Sequence, residues 1–418
     1  MQAHTLLPDQ TSGSTRQKRL VQCAFLLLFP GFFFYQTLLG LGLIRAYLGG
    51  YFSLVALVLA LPLGLAYFTA VKRHRHFIST LDLFLALFLV YILVVLVVNF
   101  AAGANGVIVQ RYMQAVLFFI EMYVIFRLLD FNDSKFIMLG TGALLAMSFI
   151  TIHFSVDGFF YLQALNDSKD PGSLATYQGF ARSYVYTFLI VVAVTRQVSV
   201  RLVLYALAIT TLFLNGARTE FSGVLILVPL IEFYHTRYKL FLTLPVIFLL
   251  IQFAANVSAI ATLLPDNRVL QLLDLSHSTS AVARDHLTHN AWKTITQNPF
   301  FGDFASYADG HYAHNILVAW VDFGLVGFLA LAAILACTAF RLFTDGFFRK
   351  ERSNEFVLAC SFVCLTILWT LLAKAAPDMS VGAALGAYAK YRYQRRMGRP
   401  HGEPPMAYGA GAPVAYPV

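Results

Sequence analysis

Polar residues punctuate this chain, and the apolar runs between them are its structure. From Val21 onward, long stretches of Leu, Val, Ile, Phe and Ala are each closed by a short cluster of Lys, Arg, Asn, Gly or Pro. Most runs are apolar on every face, unlike the single stripe of a water-exposed helix, which is the pattern of helices sunk in a core or in lipid. About 20 residues of helix cross ~30 Å of hydrocarbon. Read as helices, the runs fall near 21–44, 51–71, 81–98, 107–128, 136–152, 183–195, 202–215, 219–234, 240–260, 314–343 and 355–376, with a shorter, weaker one near 381–391. The pattern predicts an all-α polytopic membrane protein of about twelve spans. The alternation of an outer-membrane barrel is absent.

Two intervals are too long to be turns. One covers 153–181 and turns at Asp170-Pro171-Gly172; the other covers 261–313. Inside the second, AVARDHLTHNAWKTITQN places Val282, Leu287, Ala291, Trp292 and Ile295 at helical spacing, before Asn298-Pro299. This predicts one amphipathic helix whose apolar face rests on the membrane surface or on top of the bundle. The organisation is therefore a disordered cytosolic N-terminus (1–20), N-terminal membrane helices (21–260), a large loop (261–313), C-terminal membrane helices (314–393) and a Pro/Gly/Tyr-rich disordered cytosolic tail (394–418). The first run is too long for a secretory signal core and lacks a small-residue cleavage site, so it is expected to remain as a span.

Composition sharpens the picture. The 418 residues are 59% hydrophobic and 12% charged, against roughly 25% charged in soluble proteins. The formal net charge of +9 raises the question of nucleic acid, but the distribution of charge answers it. With the N-terminus inside, most Lys and Arg fall on cytoplasmic flanks: Arg16/Lys18/Arg19, Lys72/Arg73/Arg75, Arg349/Lys350/Arg352 and Lys390/Arg392/Arg395/Arg396 among them. Positive-inside bias accounts for the excess with no nucleic-acid partner. The four cysteines lie in apolar runs at no metal or disulfide spacing.

In this orientation a few cations stay outside or within spans: Arg45, Arg111, Lys169, Arg182, Arg218, Arg268, Arg284, Lys293 and Lys374. Guanidinium groups keep their charge when partly desolvated and present a planar fork of donors, which suits a diphosphate at the membrane edge. A lone Arg at a helix end more often reaches for lipid headgroups; Arg218, between two apolar runs with Glu220 nearby, has little room to do so. His311 and His314 bring imidazoles to the same loop, and a ring nitrogen can accept a hydroxyl proton near neutral pH. Gly324 and Gly327 follow at a spacing that favours close helix packing. Glu121, inside a span, is costly and expected to be paired or to line a cavity.

Three motifs together resemble the O-antigen ligase and polymerase superfamily, membrane glycosyltransferases of bacterial surface polysaccharides. His314-Asn315, then Gly324-Leu325-Val326-Gly327, resembles the family's His-Asn…Gly-x-x-Gly helix. Arg284, Trp292 and Asn298-Pro299-Phe300-Phe301-Gly302 resemble its Arg…Trp…Asn-Pro-x-x-Gly loop. Asn215-Gly216-Ala217-Arg218-Thr219 resembles its Ser-Arg-Thr/Gly element, and Arg182 stands where the family often has another outward Arg. The chain departs from the pattern at Gly302-Asp303-Phe304, which lacks a second Gly, and shows no polymerase-type Arg-x(10)-Gly at its arginines.

The resemblance implies a C-type glycosyltransferase-like fold in the bacterial inner membrane, both termini cytoplasmic and the active site facing the periplasm. It implies transfer of glycan from an undecaprenyl-diphosphate carrier, with Arg182, Arg218, Arg284, His311 and Asn315 binding the donor and His314, Arg218 and Arg284 catalytic. No cofactor or metal is implied. Membrane lipid and other polysaccharide-assembly proteins are the expected surroundings. Polymerisation of repeat units is favoured; ligation of finished glycan to lipid A core or protein stays open, as does a flippase or transporter. A metal-dependent enzyme would need clustered carboxylates, and Asp303 and Asp309 are the loop's nearest pair.

Overall fold

The computed structural model describes residues 15–45, 50–74, 76–156, 158–160, 162, 176–235, 244, 248, 251–252, 279–308, 310–349, 351–373 and 377–397. Over these the chain is helical apart from one two-stranded antiparallel hairpin. The elements are α1 (Thr15–Leu26), a π-turn (Leu27–Gly31), α2 (Phe32–Gly40), α3 (Tyr51–Arg73), α4 (Thr80–Ala101), α5 (Gly106–Leu128), α6 (Ser134–His153), β1 (Ser155–Val156), β2 (Phe159–Phe160), α7 (Thr176–Val194), α8 (Val198–Asn215), α9 (Arg218–His235), α10 (Thr279–Gln297), α11 (Leu317–Phe347), α12 (Asn354–Leu372) and α13 (Met379–Met397). The expected span at 240–260 lies almost wholly outside the described residues, as do Lys169, Arg268, Asp309 and Lys374.

Among the described residues, eight helices are long and apolar enough to cross a membrane: α1 through α2 as one unit, α3, α4, α5, α6, α8, α11 and α12. The chain is a multi-pass helical membrane protein. In α4, Leu85, Phe88, Ile92 and Leu96 are buried at helical spacing, while Leu83, Leu87, Val94 and Val97 on the other face are exposed. A helix greasy on both its buried and its exposed face belongs in lipid. Asp133 begins α6 by accepting from the amides of Lys135 and Phe136, an N-cap. At Pro30, which has no N–H to donate, the first span slips into its π-turn.

Three further helices, α7, α9 and α13, fall outside the set of eight, and each is wrapped by protein. Residues 184–193 of α7 are all buried, as are 380–389 of α13. Neighbours, rather than lipid, surround these helices, so their sequences carry polar residues that a lipid-facing helix excludes. Glu232 of α9 is one such residue. Buried, it accepts two bonds from Arg201 of α8, at 2.5 and 2.8 Å, and one from the Tyr205 hydroxyl at 2.7 Å.

Among the described residues the most extensive helix pairing is α5 with α13. Gly382 and Gly386, one turn apart, put bare backbone against the carbonyls of Phe119 and Tyr123, and a Cβ at either glycine would overlap them. Small residues at this spacing let two helices approach to backbone contact. A large aromatic core fills the space around α1, α7 and α12, with Phe25, Phe126, Tyr186 and Phe362 packed edge to face.

Candidate functional site

The amphipathic segment folds as α10 and stops just before Pro299, as its pattern predicts. Its apolar face lies on the bundle: Ala291 and Ile295 are buried with Ala313 and Val321, whereas Trp292 stays exposed at 48%. The chain then turns, with the Gly302 amide bonded to the Asn298 carbonyl at 3.0 Å, and runs directly into α11.

Gly324 does more than pack. Its φ of 65° and ψ of −173° break α11, a conformation essentially restricted to glycine. In an unbroken helix the Val321 carbonyl would accept from the Leu325 amide. Here Val321 accepts from Asp303 N–H at 2.7 Å, and Leu325 N–H goes instead to the Phe300 carbonyl at 3.0 Å. Tyr91 of α4 donates to the freed Phe323 carbonyl at 2.6 Å, and Trp320 Nε1 donates to Pro299 at 2.7 Å. Gly302, at φ 71°, meets Gly324 across this junction: a Cβ on Gly302 would lie 2.7 Å from the Trp320 carbonyl, and one on Gly324 2.8 Å from the Phe301 carbonyl carbon. The two glycine motifs thus form one backbone junction.

Asp322, beside the break, is fully buried and anchors the following loop. It accepts from the hydroxyls of Tyr112 (a short contact) and Tyr307 (2.7 Å) and from Ala305 N–H at 3.1 Å. That last bond holds Ala305 at a left-handed φ of 57°, which costs a non-glycine residue roughly 1–2 kcal/mol. Burial and the Asp322 carboxylate push the Tyr307 phenol above its ordinary range, so it remains a donor.

This scaffold walls a cavity of about 330 Å³ where α5, α7 and α13 begin. Arg111 and Tyr112 of α5, Gln178 and Arg182 of α7, Arg284 of α10, then Tyr307, Tyr312 and His314, and Asp378 ahead of α13, line it. Asp378 Oδ1 caps α13 by accepting from Ser380 N–H at 2.8 Å, and its Oδ2 lies 3.4 Å from Arg182 Nη2. The Tyr312 and His314 rings sit 4.7 Å apart. Three guanidinium groups and an imidazole therefore face one carboxylate, and the cavity is electropositive.

The remaining sequence candidates sit elsewhere. Asn315 does not line the cavity: its Oδ1 accepts from Leu317 N–H at 3.0 Å, and its amide donates to Thr288 at 3.3 Å, tying α10 to the start of α11. The helix consequently opens at Leu317, three residues after the expected His314. His311 is exposed and outside the lining. Arg218 is half-buried and starts α9 immediately after the left-handed Gly216 that ends α8. It too lies outside the lining, although Glu220 on its helix is near enough to act electrostatically on Arg182. Arg111 drew notice from the sequence without a role. Tyr112, Tyr312 and Asp378 drew none, because a lone Tyr or a helix-capping Asp carries no spacing signal. Among the described residues no group of three His, Cys, Asp or Glu side chains converges on a common point.

The fold and cavity define a polytopic helical membrane protein with a cationic chamber at one end of its bundle. No protein-family model matches the chain, and no curated protein matches it.

Proposed function

We propose that this protein is an inner-membrane glycosyltransferase that polymerises undecaprenyl-diphosphate-linked oligosaccharide repeat units on the periplasmic face. The observation that carries the reading is the convergence of Arg111, Arg182, Arg284 and His314, from four separate segments, on one cavity. In the proposed topology twelve spans cross the membrane, α7, α9 and α13 among them, and both termini are cytoplasmic. The basic ends of α3, α5 and α13 (Lys72, Arg73, Arg127, Arg395, Arg396) lie opposite the cavity, and the bias of such residues toward the cytoplasm supports an outward-facing chamber.

In the reaction, a hydroxyl oxygen of the acceptor glycan attacks the donor's anomeric carbon, and the bond from that carbon to the diphosphate oxygen breaks. The electron pair leaves with undecaprenyl diphosphate, whose growing charge the half-buried Arg182 and the exposed Arg284 and Arg111 stabilise from the cavity wall. His314 takes the hydroxyl proton. Attack opposite the leaving group inverts the anomeric centre. Asp378 holds the Arg182 guanidinium in place, and the arginines supply positive charge without a metal ion. Arg218 acts in this scheme from the neighbouring helix end, through Glu220 and the local field.

Purified protein in nanodiscs with defined undecaprenyl-linked repeats tests the proposal. Arg284→Ala and His314→Ala are each expected to cut product formation by roughly 100-fold or more. A ladder of products on one carrier marks a polymerase; a single transfer to lipid A core marks a ligase. Substrate movement without new glycosidic bonds marks a transporter. Wild-type product from both variants at equal expression ends the assignment.

A further inference from the structure

A second cationic cavity sits at the other end of α5. From Arg111 to Arg127 the helix climbs about 24 Å at 1.5 Å per residue, and around Arg127 the ends of α1, α3 and α13 close on a chamber of about 220 Å³. Lys18, Arg127, Lys390, Tyr393 and Gln394 contribute its polar wall.

Positive-inside bias places cations at helix ends in contact with water. It does not explain a guanidinium that is 3% exposed. Arg127 Nη2 donates to the Phe77 carbonyl at 2.5 Å and lies 3.7 Å from Asp82, with the guanidinium stacked over the Phe77 ring at 4.4 Å. Its Nε and Nη1 are buried with no acceptor among the described residues, and so is the Tyr393 hydroxyl; the buried Gln394 Oε1 likewise lacks a donor. A buried donor without an acceptor is costly, and three such groups border the same small space.

The charges do not cancel there. Lys18 pairs with Asp130 at 2.9 Å. Burial raises the Asp130 carboxyl, but the Lys18 bond and the Lys390 charge hold it below its ordinary range, so it stays ionised. Lys390 donates to the Leu129 carbonyl and has no carboxylate in direct contact among the described ion pairs. Three cations thus line the chamber with one carboxylate, Asp130, while Asp82 and Glu355 stand further off.

We propose that this chamber binds a phosphate-type oxyanion, either free or as the headgroup of an anionic lipid, at the end of the bundle away from the transferase cavity. A tetrahedral oxyanion offers several acceptors to donors that converge from different directions, which matches the Arg127 guanidinium on α5, the Lys18 ammonium on α1, and the Lys390 ammonium and Tyr393 phenol on α13. The volume suits a small group, since a water molecule occupies ~30 Å³ of liquid. Because none of these residues lines the outward cavity, the inference stands whatever reaction that cavity performs.

The test uses the full chain in detergent, carrying Arg182→Gln and Arg284→Gln so that the outward cavity contributes little phosphate binding. Inorganic phosphate is titrated against thermal unfolding, and the same protein is placed in phosphatidylcholine nanodiscs with and without phosphatidic acid. A saturable stabilisation by inorganic phosphate identifies the free ion, and one seen only with phosphatidic acid identifies a headgroup. In either case Lys390→Gln should weaken the apparent affinity about tenfold. Lys18→Gln, at a more exposed position, should do the same and serves if Lys390→Gln fails to fold. Stabilisation by neither probe, or stabilisation that both variants leave unchanged, overturns the proposal.

Discussion

Replacing Gly324 with alanine probes the junction on which the cavity is built. The residue sits at φ 65° and ψ −173°, and holding a side chain there costs roughly 1–3 kcal/mol. The new Cβ would also overlap the Phe300 carbonyl and lie 2.9 Å from Phe301 Cα. That backbone cannot easily retreat, because the same Phe300 carbonyl is bonded to Leu325 N–H. Overpacking of this kind adds about 1–3 kcal/mol, for a total of roughly 2–6 kcal/mol. Gly103→Ala is the matched control: φ is also positive, at 91°, but nothing lies within 4 Å of the added Cβ, so only ~1–2 kcal/mol of backbone strain applies. Should α11 straighten to escape the strain, Leu325 N–H takes the Val321 carbonyl as its helical acceptor, and Asp303 N–H, which holds that carbonyl now, loses its partner and exchanges faster. Unfolding in denaturant and hydrogen exchange over residues 300–307 read both outcomes. If Gly324→Ala matches Gly103→Ala in stability and leaves exchange at the wild-type rate, the junction does not hold the loop.

Two further substitutions address buried charge. Asp322→Asn turns an amide donor toward three donors, the Tyr112 and Tyr307 hydroxyls and Ala305 N–H, and should cost about 1–3 kcal/mol together with most of the glycan-forming activity; unchanged melting and unchanged product would show that the loop has another anchor. Glu232→Gln leaves the buried Arg201 guanidinium without its counter-charge and should destabilise the protein by roughly 3–5 kcal/mol, measured by unfolding, with a loss below ~1 kcal/mol arguing that water reaches the pair.

The lipid-facing helices were the most legible part of the chain, because α3, α4, α6 and α11 advertise themselves by apolarity alone. Helices sealed by protein are harder to read: α13 looked like a short, weak span because Gly382, Ala383, Ala384 and Gly386 spend their sequence on close packing instead of hydropathy. At the cavity, Arg182, Arg284 and His314 stood out because a cation or imidazole away from the cytoplasmic flanks is unusual. Asp378 was invisible for the opposite reason, since an Asp before a helix is ordinary capping chemistry and only the fold brings it to Arg182. Gly324 was noticed for its spacing, but spacing cannot distinguish a glycine that lets helices touch from one that breaks a helix. Arg218 shows the limit of reading charge alone: it lies outside the chamber's lining, and its neighbour Glu220 acts electrostatically on Arg182.

The glycine-lined α13 has a consequence for how the protein is made. A translocon admits a segment to the bilayer by its apolar surface, and this one, ending in Tyr391, Arg392, Tyr393, Arg395 and Arg396, offers too little to be admitted alone. Its berth against α5 exists only once the helices before it have assembled. Its insertion is therefore a docking step, in which those helices receive it as a keystone and both chambers close at once.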